Sequence, residues 1–296
     1  MAEISEHLFR DGSGEPIVFL HGFTGTWHHW RPLLGPLAAR FEVIAPTLAG
    51  HDGGPPYPPD CDVTFEQGAD SLEEHLDELG VGTAHLVGNS MGGALALELA
   101  KRGRARSVVA LAPAGGWTDG DGETLRLARF FARQLRLTKA TASRLPAILC
   151  RPRARRLALR DAMYHGERLT PSEALDLAQR SIRCEIADMA IAGLRAGRMH
   201  ALSDLDRVSC PVLLASPQFD RILPPARHAP RLRSEIPGVE ARTLAGCGHV
   251  PMWDDTPMLV GLISEFVGRH AAAGAGDARA EAAPEQPAGA DAAVVG

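Results

Sequence analysis

The sequence predicts an α/β fold: a mostly parallel sheet with a block of helices inserted between two of its strands. Three observations predict it. Short apolar runs alternate with stretches of helical spacing along most of the chain. The pentapeptide Gly88-Asn89-Ser90-Met91-Gly92 sits where one such run passes into one such stretch. The alternation stops between about Gly115 and Val208, where only helical patterns occur.

The elements follow in order. Pro16 to Leu20 reads as a buried strand that ends in His21-Gly22-Phe23-Thr24-Gly25. Trp30 to Arg40 has helical spacing, with apolar residues at 30, 33, 34, 37 and 38. Phe41 to Ala45 is the next strand. Phe65 to Leu79 is the next helix, apolar at 65, 69, 72, 76 and 79. Thr83 to Val87 is a strand, Met91 to Arg102 a helix and Ser107 to Leu111 a strand. After the inserted block come the strands Val212 to Ala215 and Val239 to Leu244, then a helix from Met258 to Val267.

Within the block, helical patterns run from Thr124 to Leu137, Ala154 to Met163 and Pro171 to Arg195. Thr170-Pro171-Ser172-Glu173 is a helix start, with Thr170 as N-cap and Pro171 in the first helical position. Arg151, Arg153, Arg155, Arg156 and Arg160 crowd into ten residues and read as a solvated helix face rather than an anion site. The predicted organisation is a core of residues 1–114 and 209–270, a helical cap of residues 115–208 and a disordered tail, 271–296. The tail is Ala, Gly, Pro and Glu without apolar periodicity.

Composition narrows the function classes. With 296 residues, 45% hydrophobic, and a net charge of −5, the chain is an ordinary globular protein. The acidic balance and the 5% aromatic content argue against a nucleic-acid partner. No uncharged apolar run reaches transmembrane length, so no membrane partner is expected. Residues 1–10 do not form a secretory signal. Five dispersed cysteines, without zinc spacing, suggest buried free thiols and a cytoplasmic location. Nothing in the sequence speaks to the oligomeric state.

The pentapeptide carries the chemistry. G-x-S-x-G at a strand-to-helix junction is the setting of a nucleophile elbow. A serine hydroxyl is a weak nucleophile that must be presented sharply and activated by a base. The bland alternative is a Gly-rich loop that needs positive φ twice. A base and its orienting acid are expected in the chain order Ser, Asp or Glu, His. His249 lies on the Gly-flanked loop after the last strand, and Asp220 on the loop after the strand before it. Ligand sites of parallel sheets gather at these carboxyl ends. His21 and His51 are rival bases on strand-end loops; His28, His29, His75, His228 and His270 read as solvated helix residues, and His85 as a packed strand residue. Asp254 and Asp255 are rival acids that more naturally begin the last helix. The backbone N–H groups of Phe23 and Met91 are the expected oxyanion donors.

These pieces together resemble the α/β-hydrolase fold family. The matching residues are His21-Gly22-Phe23, the elbow at 88–92, Asp220 in Phe219-Asp220-Arg221-Ile222-Leu223-Pro224, and Gly248-His249, spread over about residues 16 to 268. The family often has an acidic residue where Thr47 stands, and this chain departs from that. The resemblance implies a cap after the sixth sheet strand and, given the short N-terminal segment, reduced opening strands. It also implies a serine hydrolase acting on a carboxylic ester or related acyl bond, with Ser90, His249 and Asp220 as the triad and no metal or organic cofactor. Ser90 speaks against the haloalkane dehalogenases and epoxide hydrolases that the chain otherwise resembles, because those use Asp there.

Two alternatives stand beside this. Asn89-Ser90-Met91-Gly92-Gly93 is similar to the elbow of the meta-cleavage product hydrolases, which cut carbon–carbon bonds in anionic substrates that a cap Arg could hold. A non-catalytic ligand receptor on the same fold is an alternative of another class. The partner in each case is a small molecule, and Trp117, Phe130, Tyr164 and Trp253 are the expected walls of its pocket.

Overall fold

The structure, a computed structural model, describes residues 2–59 and 61–280. Eight strands form one sheet: β1 (Glu3–Ile4), β2 (Leu8–Asp11), β3 (Pro16–Leu20), β4 (Glu42–Pro46), β5 (Ala84–Asn89), β6 (Ala105–Leu111), β7 (Val212–Pro217) and β8 (Glu240–Leu244). Their order is β1-β2-β4-β3-β5-β6-β7-β8. The first two pairings, β1 with β2 and β2 with β4, are antiparallel; all the others are parallel. The opening strands are reduced to two and four residues, as expected.

Parallel central strands are covered on both faces and so need apolar side chains in both directions. The alternation is visible residue by residue. Ile17, Phe19, Val43, Leu213 and Ala215 join the core beneath one face. Val18, Leu20, Ile44, Val212 and Leu214 join the core beneath the other. Helices α1 (Arg31–Ala38) and α10 (Thr256–Ala280) contact each other and cover the first face. Helices α2 (Phe65–Glu78) and α3 (Met91–Lys101) pack together on the second, joined by Leu232 of α9 (Pro225–Glu235).

Among the described residues, five α-helices and no strand lie between β6 and β7: α4 (Glu123–Ala140), α5 (Leu145–Leu149), α6 (Pro152–Leu159), α7 (Pro171–Ile182) and α8 (Ala187–Arg195).

 The capping box at Thr170 with Glu173 and Pro171 in the first turn starts α7 as the sequence indicates. The pattern read as one helix from Pro171 to Arg195 breaks in two. At the break the Glu185 and Ile186 N–H groups both donate to the Gly50 carbonyl, so the chain bends to hold the loop after β4. The arginine cluster is mostly exposed, but Arg155 is buried and donates to the Leu149, Cys150 and Glu167 carbonyls. Helix α10 extends to Ala280, past the predicted start of the tail at 271. The added residues are rich in alanine, the strongest helix former, which lets the backbone continue without an apolar stripe. The remainder of the predicted tail, 281–296, lies outside the described residues. The five cysteines are unpaired; Cys184 and Cys247 are buried, whereas Cys150 is exposed and Cys61 and Cys210 are half-buried.

Candidate active site

The elbow is built by β5 running straight into α3. Ser90, between them, has φ 55° and ψ −116°, a backbone conformation that L residues avoid and that costs about 1–3 kcal/mol. Three backbone hydrogen bonds hold it. Its N–H donates to the Leu111 carbonyl at 3.0 Å, and its own carbonyl accepts from Ala94 (3.1 Å) and Ala114 (2.9 Å). The glycines are sterically required. A Cβ on Gly88 would stand 2.2 Å from the Gly92 carbonyl oxygen, and one on Gly92 would stand 2.0 Å from that of Leu20.

Asn89 adds a link that sequence reasoning missed. Its buried amide donates to the carbonyls of Leu111 (3.1 Å) and His249 (2.9 Å), tying the elbow to the loop after β8. On that loop His249 is buried, and its Nδ1–H donates to Asp220 Oδ2 at 2.7 Å. Asp220 is buried too, and its Oδ1 accepts from the N–H groups of Ile222 and Leu223, both at 2.8 Å. With Nδ1 engaged, His249 has Nε2 free for chemistry.

The rival histidines have other work. The Leu48 N–H donates to His21 Nε2 at 2.9 Å, while Nδ1–H of His21 bonds the Gly22 carbonyl. His51 packs edge-on against His21, with centroids 4.9 Å apart. Burial pushes the His21 imidazole well below its ordinary value and lowers that of His51 to about 4. Both are structural parts of the loops after β3 and β4. The reading of solvated helix histidines fails at several positions. Burial lowers His29 to about 4, and its Nδ1 accepts from the Thr26 N–H at 3.3 Å. His28 is buried and stacks on Trp27, and His228 is buried with its Nε2 at 2.9 Å from Glu123 Oε1, so neither is a solvated helix residue.

Asp255 does begin the last helix, accepting from the Met258 N–H at 3.0 Å. Asp254 does not. It is buried and accepts from the N–H groups of Gly248 (2.7 Å), Tyr164 (3.1 Å) and His165 (2.6 Å). One carboxylate thus joins the His249 loop to the loop after α6. The sequence signal was an acid five residues beyond a strand-end histidine, which also suits a helix start.

The loop after β3 leans on the elbow: a Cβ on Gly22 would meet Ser90 Cβ at 3.2 Å. Phe23 follows it, and Met91 opens α3, whose first N–H groups have no intrahelical acceptor. Ser90 borders two spaces. The larger, about 430 Å³, also has Phe23, Phe130, Phe131 and His249 in its walls, with much of the rest supplied by apolar side chains of α4 to α7. The smaller, about 40 Å³, lies toward Met91 and is walled by Trp117, Phe65, Leu127 and Leu194. The four pocket residues expected from sequence therefore separate. Phe130 lines the large cavity and Trp117 the small pocket. Tyr164 and Trp253 line neither. Tyr164 is drawn away by stacking on Phe219 at 4.2 Å, and Trp253 is buried with its Nε1–H donating to Glu173 at 3.3 Å. Among the described residues, no Lys or Arg borders either space, contrary to the expectation that a cap Arg could hold a substrate carboxylate.

Residues 17–260 match the family model described as the alpha/beta hydrolase family. The chain belongs to the alpha/beta hydrolase family. An epoxide hydrolase of Mycobacterium tuberculosis is 33% identical over 201 residues, 67% of this chain and 92% of that protein. A 2-hydroxymuconate semialdehyde hydrolase of a Pseudomonas species is 36% identical over 119 residues, 38% of this chain and 42% of that protein. A solved thermophilic esterase from Thermogutta terrifontis superposes with a TM-score of 0.67 at 25% identity, over 89% of this chain and 93% of its own. The protein is an α/β-hydrolase enzyme with a small-molecule substrate. Among the described residues, no helix is long and apolar enough to cross a membrane.

Proposed function

We propose that this hydrolase cleaves a carboxylic ester or related acyl bond by a serine mechanism. The observation that carries the reading is the buried His249–Asp220 pair, 2.7 Å apart, with His249 lining the same cavity as a strained Ser90. His249 Nε2 takes the Ser90 proton as Oγ attacks the acyl carbon. Asp220 holds His249 in the tautomer that leaves Nε2 unprotonated and stabilises the imidazolium that forms. The Phe23 and Met91 N–H groups receive the charge that develops on the carbonyl oxygen, an effect worth on the order of 10²–10³ in rate per donor. His249 returns the proton to the leaving group, and water releases the acyl-enzyme by the same path. Residues 115–208 serve as the cap over a core of 1–114 and 209–270. Five unpaired thiols support the cytoplasm as its compartment.

The epoxide hydrolase relative does not change this assignment. Opening an epoxide through a covalent ester requires a carboxylate nucleophile, and a serine is suited to acyl carbon. A second reading, carbon–carbon bond hydrolysis, is favoured by Asn89 and by the likeness to the 2-hydroxymuconate semialdehyde hydrolase. Among the described residues, the cavity walls carry no Lys or Arg, which weighs against its anionic substrates.

Turnover of p-nitrophenyl acetate and butyrate tests the proposal. The wild type is expected to hydrolyse both and Ser90→Ala neither. Failure of the wild type on every acyl substrate, or loss of absorbance of a coloured ring-fission product in preference to them, would overturn it.

A further inference from the structure

The two spaces around Ser90 differ about tenfold in volume, and the catalytic groups are not shared equally between them. His249 is part of the wall of the large cavity. Among the described residues, the small pocket is bordered by Ser90, Phe23 and Met91 but not by His249. We infer that the enzyme takes esters of a short acyl group with a bulky, uncharged, apolar alcohol, the acyl chain filling the small pocket and the alcohol the large cavity. This rests on the serine hydrolase reading above.

The chemistry fixes which end goes where. In acylation, Ser90 Oγ bonds to the carbonyl carbon and the bond from that carbon to the alcohol oxygen breaks. The serine proton, held on His249 Nε2, must reach that departing oxygen, so the alcohol has to lie on the side of the imidazole. Water then attacks the acyl carbon and gives its proton to His249, and Ser90 leaves carrying a proton back. The balance is one ester and one water to one acid and one alcohol. The acyl chain is left with the other space.

Size and polarity then name the class. A water-sized group needs about 10–15 Å³ of such space, so 40 Å³ takes about three non-hydrogen atoms, the reach of an acetyl to butyryl chain. Apart from Ser90, its walls are apolar: Val63, Phe65, Trp117, Leu127, Leu194 and Met199 among them. The large cavity has room for a ring system or a branched chain. Its walls carry Phe130, Phe131, Leu145, Leu149 and Met163 and, among the described residues, no Lys or Arg, which disfavours an anionic alcohol; Asp161, the one carboxylate in them, lies 3.9 Å from Arg160 and 4.0 Å from Arg221, which offset its charge. His29, also in that wall, is lowered to about 4 by burial and adds no positive charge at neutral pH.

A pair of isomers tests the assignment: 3-phenylpropyl acetate and methyl 4-phenylbutanoate have the same atoms with the ester reversed, and both release a primary alcohol. Followed by pH-stat, kcat/KM is expected to be at least tenfold higher for 3-phenylpropyl acetate. Leu194→Ala, which enlarges the small pocket, is expected to raise the rate on methyl 4-phenylbutanoate at least threefold. Met199→Ala serves the same purpose should Leu194→Ala fail to fold. Equal rates on the two isomers, or a preference for the butanoate, with turnover lost in Ser90→Ala would overturn the pocket assignment and leave the serine mechanism standing. Turnover that survives Ser90→Ala, or none on either isomer, would overturn both.

Discussion

Asp254→Asn probes the joint between the inserted helices and the loop that carries His249. The carboxylate accepts three backbone N–H groups, two on Oδ2 (Gly248 and Tyr164) and one on Oδ1 (His165). An asparagine can keep its oxygen at the Oδ2 place, but its NH₂ then faces the His165 N–H, donor against donor. Hydrogen bonds to a charged group contribute about 1.5–3 kcal/mol each, and neutral ones roughly half as much. Losing one and halving two amounts to about 4 kcal/mol. Removing a buried charge offsets part of that, so the expected loss is about 2–4 kcal/mol. At about 2–4 °C per kcal/mol in a chain of this size, the melting temperature should fall by ~5–15 °C. Urea unfolding of the two proteins gives the energy directly. Gly248 adjoins His249, so kcat/KM on a short ester should also fall, by roughly tenfold. A change in unfolding free energy under about 0.5 kcal/mol would refute the reasoning, because a buried carboxylate with three close donors cannot be lost at so little expense.

Three further outcomes follow from the same structure. Asp220→Asn should fold, since its oxygen can still accept from Ile222 and Leu223. Its amide would hold His249 in the wrong tautomer, and kcat should drop by about 10⁴, measured on p-nitrophenyl acetate. Gly92→Ala should lose at least ~3 kcal/mol of stability, or fail to fold, because its Cβ would stand 2.0 Å from the Leu20 carbonyl; a melting curve like that of the wild type would contradict the elbow geometry. Acid should destabilise the protein through His51. Burial lowers its imidazole to about 4 from an unfolded value near 6.5, so between those values the unfolded chain binds the extra proton. The stability is complete above pH 6.5 and is lost as pH falls toward 4, by up to about 3 kcal/mol for this one residue. Urea midpoints at pH 7.0 and 4.5 measure the loss, and His51→Gln should reduce it.

Legibility in the sequence followed the range of the forces involved. Strands β3 to β7 and helices α1 to α3 were readable because each carries its own apolar residues, and the core meets those strands on both faces; β8, read as a buried strand, is an edge strand that buries only Leu244. The elbow was readable because glycine is forced at 88 and 92 by backbone contact within a few ångströms. Ser90, Asp220 and His249 were readable as loop residues at strand ends, which is a matter of topology. What escaped depends on contacts between distant segments. Asn89 entered the sequence reading only through the elbow it resembles, and its bond to the His249 carbonyl, 160 residues on, had no local signal. Asp254 had the local surroundings of a helix start, and only the position of Tyr164 and His165 gave it partners. Tyr164 and Trp253 were sensible aromatic walls by composition, but stacking on Phe219 and the bond to Glu173 turn them elsewhere. His28 and His228 read as solvated because helical spacing does not reveal which face a neighbour will cover.

The identity of the nucleophile is the central claim, and covalent labelling tests it most directly. Incubated with a fluorophosphonate, the native protein should gain the mass of one phosphonyl group per chain, and digestion should place that mass on the peptide containing Ser90. Ser90→Ala, folded by circular dichroism, should gain none. A native protein that stays unlabelled, or a label that persists in Ser90→Ala, would contradict the account.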